Sequence, residues 1–266
     1  MVVLEILEHF HKLGTWVNWD DTCDRILYGN SEMVVKGIAV SWIATNSAIK
    51  KAGEEGLNLF ITHEPSFYNF GYPKGNLFQD TLEGKKLINE KKKLLDEFGI
   101  TLIRCHDLWD RMPVIGICDA WADFLGFETE KRPIESFYKV CLINNLSLSE
   151  LSVSILKKIK LLGQDSIKVM GNENKKIKRM VIGTGAITVF NEMYKLNPDV
   201  ILATEDGMHH WDAGLFAIDL NIPFIIVNHA IAEIPGIKAL AEYLKNYFNQ
   251  IPVKYINTFF PYKTFF

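Results

Sequence analysis

Four apolar runs in the chain each end in a burst of residues that bind metals or move protons. LNLFI (57–61) runs into Thr62, His63 and Glu64. ITLIRC (100–105) runs into His106 and Asp107, with Asp110 shortly after. VILA (200–203) leads to Thr204, Glu205 and Asp206, then His209 and His210. IPFIIV (222–227) leads to Asn228 and His229, then Glu233. Five of the seven histidines lie in these bursts, where a random placement would scatter them. Imidazoles and carboxylates gathered with few counter-charges repel one another, and a bound cation relieves that repulsion. Nitrogen and oxygen donors without thiolate suit Zn²⁺, Mn²⁺ or Fe²⁺. Carboxylates can bridge, so the residues leave one ion and two both open; paired ions ~3.5–4 Å apart are the usual geometry for metal-assisted hydrolysis.

Each burst has a plainer explanation when taken alone. His63-Glu64 reads as a polar strand end stopped by Pro65, Asp110 as a helix cap or surface acid, and His209-His210 as the exposed start of a helix. His229 and Glu233 have the i,i+4 spacing of one helix face. Pro235 favours a helix that starts later, at about Gly236, with His229 at the strand end and Glu233 at the helix entrance. Gly183-Thr184-Gly185 lacks the third glycine of a dinucleotide fingerprint and reads as a tight strand-to-helix turn. His9 and His11 read as local packing or solvated positions.

The elements that would position these residues alternate between strand and helix periods. Strands are expected over 35–43, 57–62, 100–105, 137–142, 167–170, 179–182, 200–203, 223–227 and 253–257. Helices are expected near Leu4–Leu13, over 46–55 with Asn46 or Ser47 as cap, 75–98, 119–125, 147–161, 186–196, 209–219 and 236–248. Ser147 with Glu150 is a capping-box pattern. GNENKKIK (171–178) reads as a hairpin turn, and the lysine-rich run 85–93 as a solvated helix face. Such alternation argues for an α/β fold with mostly parallel or mixed sheets, whose ligand sites lie beyond the carboxyl ends of the strands. If the four burst-bearing strands share a sheet, their ends converge. The texture changes over 131–198, read as a smaller α/β domain inserted into a metal-binding α/β domain of 1–130 and 199–266.

Composition narrows the partners. The 266 residues are 48% hydrophobic and carry a formal charge of −3, so neither a nucleic acid nor a membrane is expected to bind. The lysine-rich stretches 85–93 and 175–179 are the only candidates for a basic patch. Cys23, Cys105, Cys118 and Cys141 form no CxxC pair, which argues against a structural zinc of the thiolate type or a disulfide framework; Cys105 reads as a small buried hydrophobe. The N-terminus has no secretory pattern and no apolar run reaches ~18 residues, so a cytoplasmic location is expected. The aromatic end NTFFPYKTFF (257–266) is expected to pack on its own domain or a neighbouring subunit.

The same bursts carry a resemblance to a known family. ITHEPSFY, RCHDLWD, VIGTGA, DVILATEDGMHHWDAG and NHAIAEIPGIKALAEYL occur in the order of the motifs of the Nif-three-like family. These are the dinuclear metal-centre hexameric proteins, often labelled GTP cyclohydrolase I type 2-like. The resemblance implies His63, Glu64, Asp110, His229 and Glu233 as ligands of two divalent ions (Zn, Mn or Fe). It places His106, Asp206, His209 and His210 near them, facing substrate or supporting the ligands. It implies two α/β domains with the metals in the cleft between them, and a ring-like homohexamer. Glu64 stands where a second histidine is commoner, and Glu205 and Asn228 where glycine is usual. The function expected is metal-dependent, cyclohydrolase-like hydrolysis of a small nucleotide-like or phosphate-bearing molecule. Its rival is a non-enzymatic ring that stores, senses or delivers a metal.

Overall fold

The computed structural model describes residues 1–67, 78–187 and 189–258. Tyr68 of the first motif, the expected helix start at 75–77 and the tail 259–266 lie outside them. The described chain forms a mixed α/β fold with two sheets and two compact units, Met1–Trp109 with Ile237–Thr258, and Asp110–Gly236.

The first unit opens with α1 (Val3–Leu13), β1 (Ile26–Tyr28), β2 (Ile38–Ser41), α2 (Asn46–Glu54), β3 (Leu59–Thr62), α3 (Leu82–Phe98), β4 (Thr101–Arg104) and the start of α4 (Asp107–Arg111). Its sheet has the order β1-β4-β3-β2 and then β11 (Val253–Tyr255); all neighbours are parallel except β1. Alternate strand residues Ala39, Phe60 and Leu102 pack with Ala48, Ile49, Ala52 and Leu95 of α2 and α3. The residues between them, Ile38, Val40, Leu59, Ile61 and Ile103, are buried as well. A parallel sheet with both faces covered has to be apolar throughout, which is why these strands read as unbroken runs.

The cap of α2 is Thr45, whose side chain accepts from the Ala48 amide, rather than Asn46 or Ser47. Lys91 departs from the solvated face expected of its helix. It is 3% exposed, its Nζ donates to the Ser66 carbonyl, and burial pushes its ammonium down to about 8. His9 stacks on Tyr247 and bonds the Tyr243 hydroxyl, in line with a packing role.

The second unit carries α5 (Ile117–Leu125), β5 (Glu128–Thr129), β6 (Lys139–Ser147), α6 (Leu148–Ile159), β7 (Lys168–Met170), β8 (Lys176–Ile182), α7 (Phe190–Tyr194), β9 (Val200–Thr204), α8 (Leu215–Asp219), β10 (Phe224–Val227) and the first turns of α9 (His229–Tyr247). Its sheet has the order β5-β6-β8-β9-β10-β7, with β8, β9 and β10 parallel. Period-2 alternation divides the strand residues between two cores. Met180, Ile182, Val200, Leu202, Ile225 and Val227 face α5, α6 and the start of α9. Val181, Ile201, Ala203 and Phe224 face α7 and α8. The capping box of Ser147 and Glu150 forms as the sequence predicts.

The condition that the four burst-bearing strands share a sheet is not met: β3 and β4 lie in the first, β9 and β10 in the second. Two expectations fail for identifiable reasons. β7 and β8 are not a hairpin, because β7 pairs antiparallel with β10 at the sheet edge. The last helix begins at His229 and runs through Pro235. Asn228 supplies its cap, with Oδ1 accepting from the Ile231 amide, and that local signal outweighs the proline. Proline removes one helical hydrogen bond, but Ala230, Ile231, Ala232 and Ile234 bury apolar surface before it. Among the described residues, no helix is long and apolar enough to cross a membrane.

Candidate metal centre

In each unit two adjacent parallel strands end level and release their bursts side by side. In the first unit Thr62 of β3 stands opposite Arg104 of β4, so His63-Glu64 and Cys105-His106 emerge together. His63 is fully buried, and its Nδ1 lies 3.1 Å from the Cys105 carbonyl. A carbonyl only accepts, so Nδ1 carries a proton, and in the neutral ring Nε2 then presents the lone pair, the tautomer a metal ligand needs. The His106 ring stacks on His63 at 4.5 Å between centroids, and His106 Nε2 lies 4.0 Å from Glu64 Oε1. Glu64 is buried and also faces the Arg104 guanidinium at 3.6 Å, while Arg104 Nε donates to the His63 carbonyl. Asp110, the first residue of the second unit, is buried within α4.

The start of α4 is anchored by the buried Asp24, whose carboxylate accepts the amides of His106, Asp107 and Leu108. Burial raises the Asp24 carboxyl, opposed by the amides of Leu108 and His106. Asp107 goes the other way. Burial works against its charge, but hydrogen bonds from His106 and Thr22 outweigh it and hold the carboxyl well below the usual range.

In the second unit Val227 of β10 stands opposite Thr204 of β9, so Glu205-Asp206 and Asn228-His229 emerge together. His229 Nδ1 lies 2.8 Å from Asp206 Oδ2, and that hydrogen bond lowers the Asp206 carboxyl. The other nitrogen, Nε2, lies 3.0 Å from Oε1 of Glu233, one helical turn on and 3% exposed. One imidazole thus stands between two carboxylates. A neutral ring that donates to Asp206 turns a lone pair toward Glu233, and two acceptors at that separation need a proton or a metal cation between them. Gly185, with φ +62°, lies against this pair: a Cβ there would come 3.0 Å from His229 Nε2 and 3.3 Å from Glu233 Oε1. Thr204 Oγ1 donates to the Gly185 carbonyl at 2.7 Å, which holds the turn in place.

His209 and His210 are exposed, on a segment that enters a π-helical turn over His210–Gly214. Among the described residues, neither side chain hydrogen-bonds to Asp206, His229 or Glu233.

A family model for DUF34/NIF3 (NGG1p interacting factor 3) matches residues 2–260. The chain belongs to this family. It is 27% identical over 249 residues to a GTP cyclohydrolase 1 type 2 homolog of Clostridium perfringens, covering 91% of this chain and 90% of that one. A homolog of the same description from Chlamydia pneumoniae is 25% identical over 278 residues, covering 98% and 100%. The Staphylococcus aureus protein SA1388 superposes with a TM-score of 0.76 at 18% identity, over 99% of each chain, and so shares the fold.

Within the second unit Glu205 and Asn228 bond each other. Asn228 Nδ2 donates to Glu205 Oε1, and the Asn228 amide donates to Gln164 Oε1. The donor set fits a divalent cation: buried carboxylates and imidazoles whose outer nitrogens are held by a carbonyl or a carboxylate. Residues that the sequence reading passed over are Arg104, Asp24, Cys23 and the packing role of Gly185. Arg104 alone had a signal, as a charged residue closing an apolar strand.

Proposed function

We propose that the protein is a cytoplasmic, metal-dependent hydrolase of a small nucleotide-like or phosphate-bearing molecule. His63, Glu64, Asp110, His229 and Glu233 would ligate two divalent ions, Zn²⁺, Mn²⁺ or Fe²⁺. The observation that carries the reading is His229 held between Asp206 and Glu233, an arrangement completed by a proton or a metal cation at Nε2. The descriptions of the Clostridium and Chlamydia relatives support cyclohydrolase-like chemistry.

Bound ions would supply an acidified water and polarise the substrate. Asp206 keeps His229 in one tautomer and orients its ring. The Cys105 carbonyl does the same for His63. His106, stacked on His63 and partly exposed, is placed to carry a proton between the site and solvent. His209 and His210, exposed beyond β9, are the substrate-facing candidates. Glu64 adds negative charge to the donor set and favours harder ions, tempered by Arg104.

Elemental analysis of the protein purified without added metal should find about two divalent ions per chain, and chelation should abolish turnover of phosphorylated or cyclic-amidine substrates. Metal retained with no turnover on any such substrate would leave the storage or delivery reading in its place. A homohexamer belongs to the same proposal. Supporting an oligomer are Trp211, Leu215, Phe216 and Ile218, large apolar side chains more than half exposed within one short segment. Light scattering that returns a monomer mass for the metal-loaded chain removes that part.

A further inference from the structure

Outside the ligand set above, Cys23, His106 and Asp107 bring a thiol sulfur, a ring nitrogen and a carboxylate oxygen within 4.8 Å of one another. Cys23 Sγ lies 3.3 Å from Asp107 Oδ1, and His106 Nδ1 lies 3.0 Å from the same oxygen. The group is held in advance of any ligand. Thr22 Oγ1 and the Cys23 amide donate to the other oxygen of Asp107, at 2.7 and 3.2 Å. Asp24 clamps the loop that carries Cys23 to the amides that open α4. All three residues are partly exposed, so an ion could reach them from solvent.

We propose that Cys23, His106 and Asp107 form a separate site for a thiophilic divalent cation, with Zn²⁺ as the reference ion. One thiolate, one imidazole and one carboxylate match the donors that zinc takes at three of four tetrahedral positions, with the fourth left for water or an incoming ligand. The thiolate separates this site from the inner set, whose nitrogen and oxygen donors include three carboxylates and suit harder ions. His106 turns Nδ1 to the outer group, while its Nε2 lies 4.0 Å from Glu64 and its ring stacks on His63. An ion at the outer site therefore sits one imidazole away from the inner ligands of the same unit, as a delivery station would. The outer site does not require the inner centre to exist.

The test uses the reactivity of Cys23 in the folded protein, since Cys105, Cys118 and Cys141 are buried. Zn²⁺ should slow labelling of Cys23 by a disulfide reagent about tenfold or more, because a coordinated thiolate is a poor nucleophile. Mg²⁺ should leave the rate unchanged, a chelator should restore it, and Asp107→Asn should weaken the protection. Co²⁺ should give a thiolate charge-transfer band in the wild type that is missing in Cys23→Ser. Glu233→Gln, which removes an inner donor, should keep both signals, so failure of the inner centre and failure of this site are separable. Labelling equally fast with and without Zn²⁺, equal protection by Mg²⁺, or no thiolate band with Co²⁺ overturns the proposal.

Discussion

Glu233→Gln is expected to erase the stabilisation that a divalent ion gives the wild-type chain, while the metal-free variant melts no lower than the metal-free wild type. Without a metal, Glu233 is a buried carboxylate 3.0 Å from an imidazole that already serves Asp206. Holding it charged there requires an imidazolium and the desolvation of both partners, a pairing whose Coulombic gain often fails to exceed its cost. Glutamine keeps the shape and offers His229 a neutral hydrogen bond. With a metal the order reverses. An ion that binds only the folded wild type adds about 2.7 kcal/mol at a hundred times its dissociation constant, whereas the amide is a weak ligand and adds little. A purely structural ion pair predicts otherwise: loss of one partner would cost about 3–5 kcal/mol with or without metal. Thermal melts of both proteins, with chelator and with excess Mn²⁺ or Zn²⁺, separate the two. A variant destabilised equally in both conditions would remove Glu233 from the ligand set.

What the sequence could reveal about this site follows from how local each cause is. The burst-bearing strands were legible because β3, β4, β9 and β10 are largely buried and their central residues are apolar in unbroken succession. Their polar ends stand out against that background. Strand partners are not local, so nothing in 167–182 tells that β7 joins β10 rather than β8. The start of α9 was a contest between two local signals, the Asn228 cap and Pro235, and buried apolar contacts decided it. Lys91 carries no mark that separates it from Lys92 and Lys93; only the third dimension buries it. Cys23 reaches His106 and Asp107 from a loop more than eighty residues earlier in the chain, where no spacing rule would look. Gly185 belonged to a recognisable glycine turn, yet its neighbours His229 and Glu233 lie on another element.

That last placement yields a test that leaves every ligand in place. Gly185→Ala puts a methyl group 3.0 Å from His229 Nε2 and 3.3 Å from Glu233 Oε1, and does so at φ +62°. The left-handed backbone alone should cost an alanine about 1–2 kcal/mol. The methyl adds a second effect, because it can be accommodated only if the imidazole and carboxylate shift from the point on which both converge. Ligand groups must hold their geometry within ~0.5 Å to serve a metal well, so affinity should fall about tenfold or more. Gly56→Ala provides the control. Its φ is +72°, and nothing lies within 4 Å of the added Cβ, so it carries the backbone strain without the steric contact. In the presence of chelator both variants should lose the stability that backbone strain costs, Gly185→Ala at least as much as Gly56→Ala, and only Gly185→Ala should also lose metal affinity in a titration followed by calorimetry. If the two variants bind metal equally well, the His229–Glu233 pair is not where the ion sits. If Gly185→Ala alone weakens binding, the turn after β8 belongs to the metal centre as the surface that sets the spacing of its ligands.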